Sequence, residues 1–325
     1  MREDLHVLDM NVSLGHWPFE PMNPSKPSQL SKHLRSHGVR WAIVSSLDAV
    51  LYRDPQWGND VLYRSIARIE GLFPCGVINP TLPNWKSTLE LGIQAGCIMV
   101  KLFPNYHQYD LSHRSVDELM LMCEGQGILV ALSVRMEDER AHPGIMRVPA
   151  VSLEEIETLA QRWLQCPILL LCPTLGEVQR LDSTDNLIFE ISHVEHFHSL
   201  PTLWNVVPSD RTVFGSHTPF LYTGAAIAKL EDPEISESDR NKVAFEVAYG
   251  LRDRAEHDML GNLDKEVDKH AGKSYPESIL RSNRREAVWQ RGEDLQVRED
   301  QTGQRRGHGG SSRGGTHRHG GGGTG

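Results

Sequence analysis

The chain reads as an α/β protein, a (β/α)8 TIM barrel with a disordered C-terminal tail. Three observations predict it. Short, near-continuous apolar runs recur from residue 6 to residue 216, as parallel strands buried on both faces require. Longer amphipathic stretches separate them, so the units are strand then helix, roughly eight times over about 250 residues, which is the usual count and length of such a barrel. No G-x-G-x-x-G follows the first run, so a doubly wound dinucleotide-binding sheet lacks its phosphate-binding turn.

The elements follow in order. The run "HVLDMNV" (6–12) leads through the loop "SLGHWPFEP" to the helical "SQLSKHLRSHG" (28–38), where Ser28 is placed to cap the start and Gly38 to stop the end. The next strands are "RWAIVSSL" (40–47), "LFPCGVINP" (72–80), "CIMVKLFP" (97–104) and "ILVALSV" (128–134). "PILLLCP" (167–173), "NLIFEIS" (186–192) and "RTVFGS" (211–216) complete the set. Helical patterns such as "NDVLYRSIARIEG", "SVDELMLMCEGQG" and "SLEEIETLAQRWLQC" lie between them. Past residue 262 the texture changes. Residues 263–325 are charged and then Gly-rich, cannot bury enough apolar surface to offset ordering, and are expected to be a disordered tail behind a barrel of residues 1–262.

Composition narrows the function classes. The 325 residues carry a formal net charge of -9, which favours neither nucleic acid nor an anionic membrane surface. No apolar run approaches the roughly 20 residues of a membrane span, and the N-terminus lacks the pattern of a secretory signal, so a cytoplasmic location is expected. Five scattered cysteines among apolar neighbours suit buried thiols better than disulfides. The expected partner is a small-molecule substrate, and a homo-oligomer is compatible with all of this.

In a barrel of this kind the strand C-termini share one mouth, and the reactive groups gather there. The first strand delivers Asp9 and Asn11 and then Trp17 in its loop. The third delivers Asn79, and the fourth carries Lys101, followed by Asn105, His107 and Tyr109. The fifth runs into "RMEDERAHP" with Arg135, Glu137 and Arg140. The sixth offers Cys172, the seventh Glu190 and then Glu195, and the eighth ends at His217. A carboxylate such as Asp9 inside an apolar strand is costly unless paired or functional. Lys101 inside "CIMVKLFP" needs a counter-charge, for which Asp9 or Glu190 is at hand. Arg135 is suited to gripping a substrate carboxylate through two parallel bonds, although a run of mixed charges also reads as a solvated face. The histidines 193, 196 and 198 read as surface residues of a loop, and Trp17 as part of a plug over the pocket.

The order of "LDMNVSLGHWPF", "VKLFPNYHQYDL", "EDERAHP", "FEISHVE" and "VFGSHTPF" resembles the amidohydrolase 2 branch of the metal-dependent hydrolase superfamily, over about residues 5–230. That resemblance implies a barrel with metal ligands at an H-x-H pair on the first strand, a Lys or Glu on the fourth, histidines on the fifth and sixth, and an Asp on the eighth. Here those places hold Asn11 and Ser13, Lys101, Ser133, Cys172 and His217. The set is degenerate. A divalent metal, zinc or manganese, is therefore an option that the residues do not favour, and any bound ion would draw on Asp9, His217, Glu190 and Cys172.

The implied activity is hydrolysis of a C–N, ester or lactone bond in a small carboxylated or cyclic compound. Decarboxylation and a catalytically silent ligand-binding or scaffold barrel are the alternatives. In the hydrolytic version Asp9, Lys101, Glu195 and His217 carry the chemistry, with His217 a proton carrier titrating near neutrality. Asn11, Trp17, Asn79, Asn105, His107, Tyr109, Arg135, Glu137, Arg140 and Glu190 line the substrate.

Overall fold

A computed structural model describes residues 5–140, 142 and 146–251. The expected domain boundary at 262/263 and the tail beyond it lie outside the described residues.

Eight parallel strands follow one another in sheet order β1 to β8, each joined to the next through at least one helical segment. They are β1 (Val7–Leu14), β2 (Val39–Ser46), β3 (Leu72–Val77), β4 (Met99–Leu102), β5 (Leu129–Ser133), β6 (Ile168–Leu171), β7 (Leu187–Glu190) and β8 (Thr212–Val213). The sheet closes on itself where Met10 N donates to Phe214 O (3.0 Å) and Ser13 N to Thr218 O (2.8 Å). This is a TIM barrel. No helix of the described residues is long and apolar enough to cross a membrane.

Strand alternation divides the apolar residues between two faces. One set, including Val44, Val100 and Leu132, packs outward against helix residues such as Leu62, Leu119 and Ile156. The other set fills the lower barrel with Met10, Ile43, Met99, Ala131, Leu169, Ile188 and Val213. Burying each large member of that inner set contributes about 1.5–3 kcal/mol.

One irregularity decides what the next layer contains. Leu8 and Met10 belong to the inner cluster, but the pairing of β1 with β2 shifts register between Asp9 and Val12. Past the shift, Val12 and Leu14 join the outer core instead. A one-residue shift exchanges the two faces of a strand. It turns Asn11 and Ser13 into the barrel at the level where β4 presents Lys101 and β7 presents Glu190.

Candidate active site

Asn11 stands at the centre of the polar layer. Its Oδ1 accepts from Lys101 Nζ at 2.9 Å. On the other side its Nδ2 lies 2.9 Å from Glu190 Oε2, 3.2 Å from Cys172 Sγ and 3.3 Å from His217 Nδ1. These partners orient the amide, since the oxygen must face the N–H donors of Lys101 and the nitrogen the carboxylate of Glu190. Lys101 Nζ also donates to Ser45 Oγ (3.0 Å), and Ser13 Oγ lies 3.3 Å from that same hydroxyl. Asp9, Asn11, Lys101, Glu190 and His217 are each no more than 2% exposed.

Lys101 differs from expectation. Among the described residues it has no ion-pair partner, and neither Asp9 nor Glu190 binds it directly, because Asn11 stands between the amine and the Glu190 carboxylate. Burial pulls its pKa down, against the raising influence of Cys75, Cys172, Glu190 and Asp9.

Glu190 is saturated with donors. It accepts from Asn11 Nδ2, from Cys172 N (3.1 Å), from Ser192 Oγ (2.8 Å) and from Ser192 N. Gly215 makes room for it, since a side chain at 215 would run into the Glu190 carboxylate. Asp9 sits beside β8, where its Oδ1 accepts from Asn11 N and Ser216 N, both at 3.0 Å, while its Oδ2 is buried without a partner. Burial raises its pKa to about 7, with Glu190 adding to the rise and hydrogen bonds from Ser216 and Asn11 opposing it.

His217 is neutral, which also departs from expectation. Its Nε2 donates to Met136 O at 2.6 Å, leaving Nδ1 to accept from Asn11. Burial first, and the neighbouring His193 second, push its pKa down to about 3, well below the near-neutral value expected of a proton carrier. His217 (φ 53°) and Cys172 (φ 60°) both adopt the left-handed conformation, an unusual cost at two buried non-glycine positions of one layer. The Cys172 thiol is held protonated, burial pushing it up to about 12.

An aromatic cover closes the layer. Phe220 stacks on the His217 ring at 4.9 Å between centroids, and Trp17 meets Phe220 edge-on at 5.2 Å. Trp17 is buried among Leu47, Val77, Phe103 and Met136, and its Nε1 donates to Glu137 Oε2 at 3.1 Å, tying the β1 loop to the β5 loop.

Several residues expected at the mouth are engaged elsewhere. Both guanidinium arms of Arg135 are taken by the Glu177 carboxylate, and one also bonds Cys172 O at 2.9 Å, so it braces β5 against β6 and is not free to grip a carboxylate. Arg140 pairs with Asp138 in solvent. Asn79 accepts from Thr81 within its own turn. Asn105 reaches Val134 O and Pro149 O. His107 bonds Ala49 O, burial lowering its pKa to about 4, and Tyr109 packs in the outer core. Glu195 is exposed.

Other contributors escaped the sequence reading. Ser45, Ser192, Ser216, Met136, Phe220 and His193 all join the site, and His193, taken for a surface residue, is half-buried and meets His217 edge-on at 5.4 Å. Ser192 was legible in principle, being two residues beyond Glu190 and so on the same strand face.

No protein-family model matches the chain, and no curated protein matches it. Solved structures do. The chain is similar to a 5-carboxyvanillate decarboxylase from Sphingomonas paucimobilis (13% identity, TM-score 0.59, covering 76% of this chain and 98% of that one). It is similar to a 5-carboxyvanillate decarboxylase from Novosphingobium aromaticivorans with bound manganese (10% identity, TM-score 0.61, covering 78% and 98%). An amidohydrolase II shares the same barrel (12% identity, TM-score 0.56, covering 76% and 99%). At these identities the likeness is one of fold.

The donor set here does not suit a divalent ion like that manganese. Three atoms of ligand type, Cys172 Sγ, Glu190 Oε2 and His217 Nδ1, each face the amide nitrogen of Asn11, but they do not all come within metal-binding reach of one another. The Lys101 amine stands directly behind that amide, and the thiol keeps its proton. Among the described residues only His198, Asp232 and Glu234 bring three ligand atoms within metal-binding reach of one another, and they lie outside this layer near the surface.

Proposed function

We propose that this barrel is an enzyme that decarboxylates a small carboxylated compound without a metal centre. The observation that carries the reading is the buried Lys101 amine, which has neutral hydrogen-bond partners and no ion-pair partner among the described residues, within electrostatic reach of a buried carboxyl group on β1, Asp9, that is still partly protonated at pH 7. An amine buried without a counter-ion gains one from an anionic ligand. Loss of carbon dioxide leaves an electron pair that must be protonated, and Asp9 is poised to supply that proton near neutrality. Asn11 and Ser45 hold the amine in place, and the Trp17 and Phe220 cover excludes water once the substrate is bound. Similarity in fold to 5-carboxyvanillate decarboxylases supports the reaction class.

Hydrolysis is the second reading. It is favoured by Ser192, whose Oγ lies 3.1 Å from His193 Nδ1 and 2.8 Å from Glu190 Oε2, so that a nucleophile and a base are in contact.

The test is a thermal-shift screen of small carboxylic acids, amides, esters and lactones, followed by carbon dioxide release from the stabilising acids in deuterated water. Decarboxylation predicts release with deuterium at the vacated carbon and loss of release in Asp9→Asn. Turnover of an amide, ester or lactone with no carbon dioxide would replace it with the hydrolytic reading.

A further inference from the structure

Breaking a carbon–carboxylate bond requires somewhere for the electron pair to go. A metal could accept it, but the donor set does not suit one. Two other buried nucleophiles of the polar layer offer no substitute: Ser192 would form an ester, which is no electron sink at the adjacent carbon, and the Cys172 thiol stays protonated. An amine is different, because its adduct with a ketone is an iminium, which draws in the electrons of a neighbouring bond. We propose that Lys101 is a covalent catalyst that forms an imine with the keto group of a short β-keto acid. This deepens the decarboxylase reading and rests on it.

Three features of the structure bear on attack by the amine. Nζ lies at the end of β4 in the interior, 2.9 Å from an amide oxygen and 3.0 Å from a hydroxyl, neither of which pins the amine as a permanent ion pair would. Desolvation favours the neutral amine, the form that attacks. The side chains beside it, Ser13 and Ser45, are small, which suits a short-chain substrate.

Nζ adds to the keto carbon, and the keto oxygen, having gained two protons, leaves as water to give the iminium. The bond between the α-carbon and the carboxylate then breaks, carbon dioxide departs, and the electron pair passes into the iminium to form an enamine. Asp9 donates its proton to the α-carbon, and water adds to the iminium so formed, releasing the ketone and restoring the amine. Asp9 regains its proton from solvent, so the sum is one β-keto carboxylate and one proton converted to one ketone and one carbon dioxide.

The experiment uses the full chain with acetoacetate, reduction by sodium borohydride, peptide mass mapping, and carbon dioxide release measured in parallel without reductant. The expected result is an isopropyl adduct on the Lys101 peptide at an occupancy far above that of the exposed Lys32 and Lys86. Carbon dioxide release should fall to the protein-free level in Lys101→Met, whose melting curve reports whether it folds. An unmodified Lys101 peptide, with or without labelling of the exposed lysines, overturns the imine. Carbon dioxide release in that case overturns the imine alone and leaves decarboxylation standing. A Lys101 adduct that retains the carboxylate, with no carbon dioxide release, supports the imine and overturns decarboxylation.

Discussion

Met99 and Lys101 lie two residues apart on the same face of β4, yet they belong to layers built on opposite rules. The layer of Met99 contains Met10, Ile43, Ala131, Leu169, Ile188 and Val213, and contributes to stability through apolar area removed from water. The layer of Lys101 contains Asn11, Ser45, Cys172, Glu190 and His217, equally buried, and its members cost free energy to bury unless every donor and acceptor is matched. A barrel selected only for stability would have continued the apolar filling. Burial lowers the pKa of Lys101 and His217 and raises that of Cys172, and the proposed chemistry draws on this layer at the strand C-termini.

The contrast can be broken most forcefully at Asn11. Asn11→Leu leaves the Lys101 amine and the Glu190 carboxylate without their shared partner, so unfolding in urea should show a loss of about 1–3 kcal/mol for each of these two buried groups. In the apolar layer, Leu169→Ala should cost about 2–5 kcal/mol through its cavity, but carbon dioxide release at a temperature where it remains folded should persist.

A subtler test uses pH. Asp9 has its folded pKa raised from 3.8 to about 7, so between these values the folded state holds a proton that the unfolded state has lost, and stability falls as pH rises through the window. His217 has its folded pKa lowered from 6.5 to about 3, so across that window the unfolded state holds the extra proton, and stability rises with pH. The two slopes, each at most about 1.4 kcal/mol per pH unit, oppose one another between roughly pH 4 and 6.5. Urea denaturation of Asp9→Asn should therefore reveal stability rising with pH in that interval, and His217→Gln should reveal it falling. Parallel profiles for both variants and the parent would mean that these groups titrate normally.

The smallest stability effect is expected where function suffers most. Lys101→Met keeps the apolar stem and removes a buried amine, so it should lose no more than about 1 kcal/mol by urea denaturation while abolishing carboxylate binding in the thermal-shift screen. Normal binding by this variant would remove Lys101 from the site.

How much of this was legible in the sequence differs from layer to layer. The eight apolar runs stood out because a strand buried on both faces has no polar alternation to hide in, and Lys101 and Glu190 stood out as charges inside such runs. The role of Asn11 was obscured by the register shift in β1, which depends on pairing with β2 and not on local pattern. Arg135 was misjudged because its partner, Glu177, lies on the capped first turn of a helix more than 40 residues later. His193 and Phe220 reach His217 through loop paths that composition does not encode. Ring burial, invisible in the sequence, moved His217 away from neutrality.

The central claim is that an amide and an amine, Asn11 and Lys101, hold the barrel centre in place of a metal ion. Elemental analysis of untagged protein, grown with ample zinc and manganese and dialysed without chelator, tests it most directly. The account predicts well under one equivalent of either metal assignable to the barrel centre, with the content unaltered by Cys172→Ser or Glu190→Gln and the melting temperature insensitive to chelator. One tightly held equivalent that Cys172→Ser or Glu190→Gln releases would contradict it.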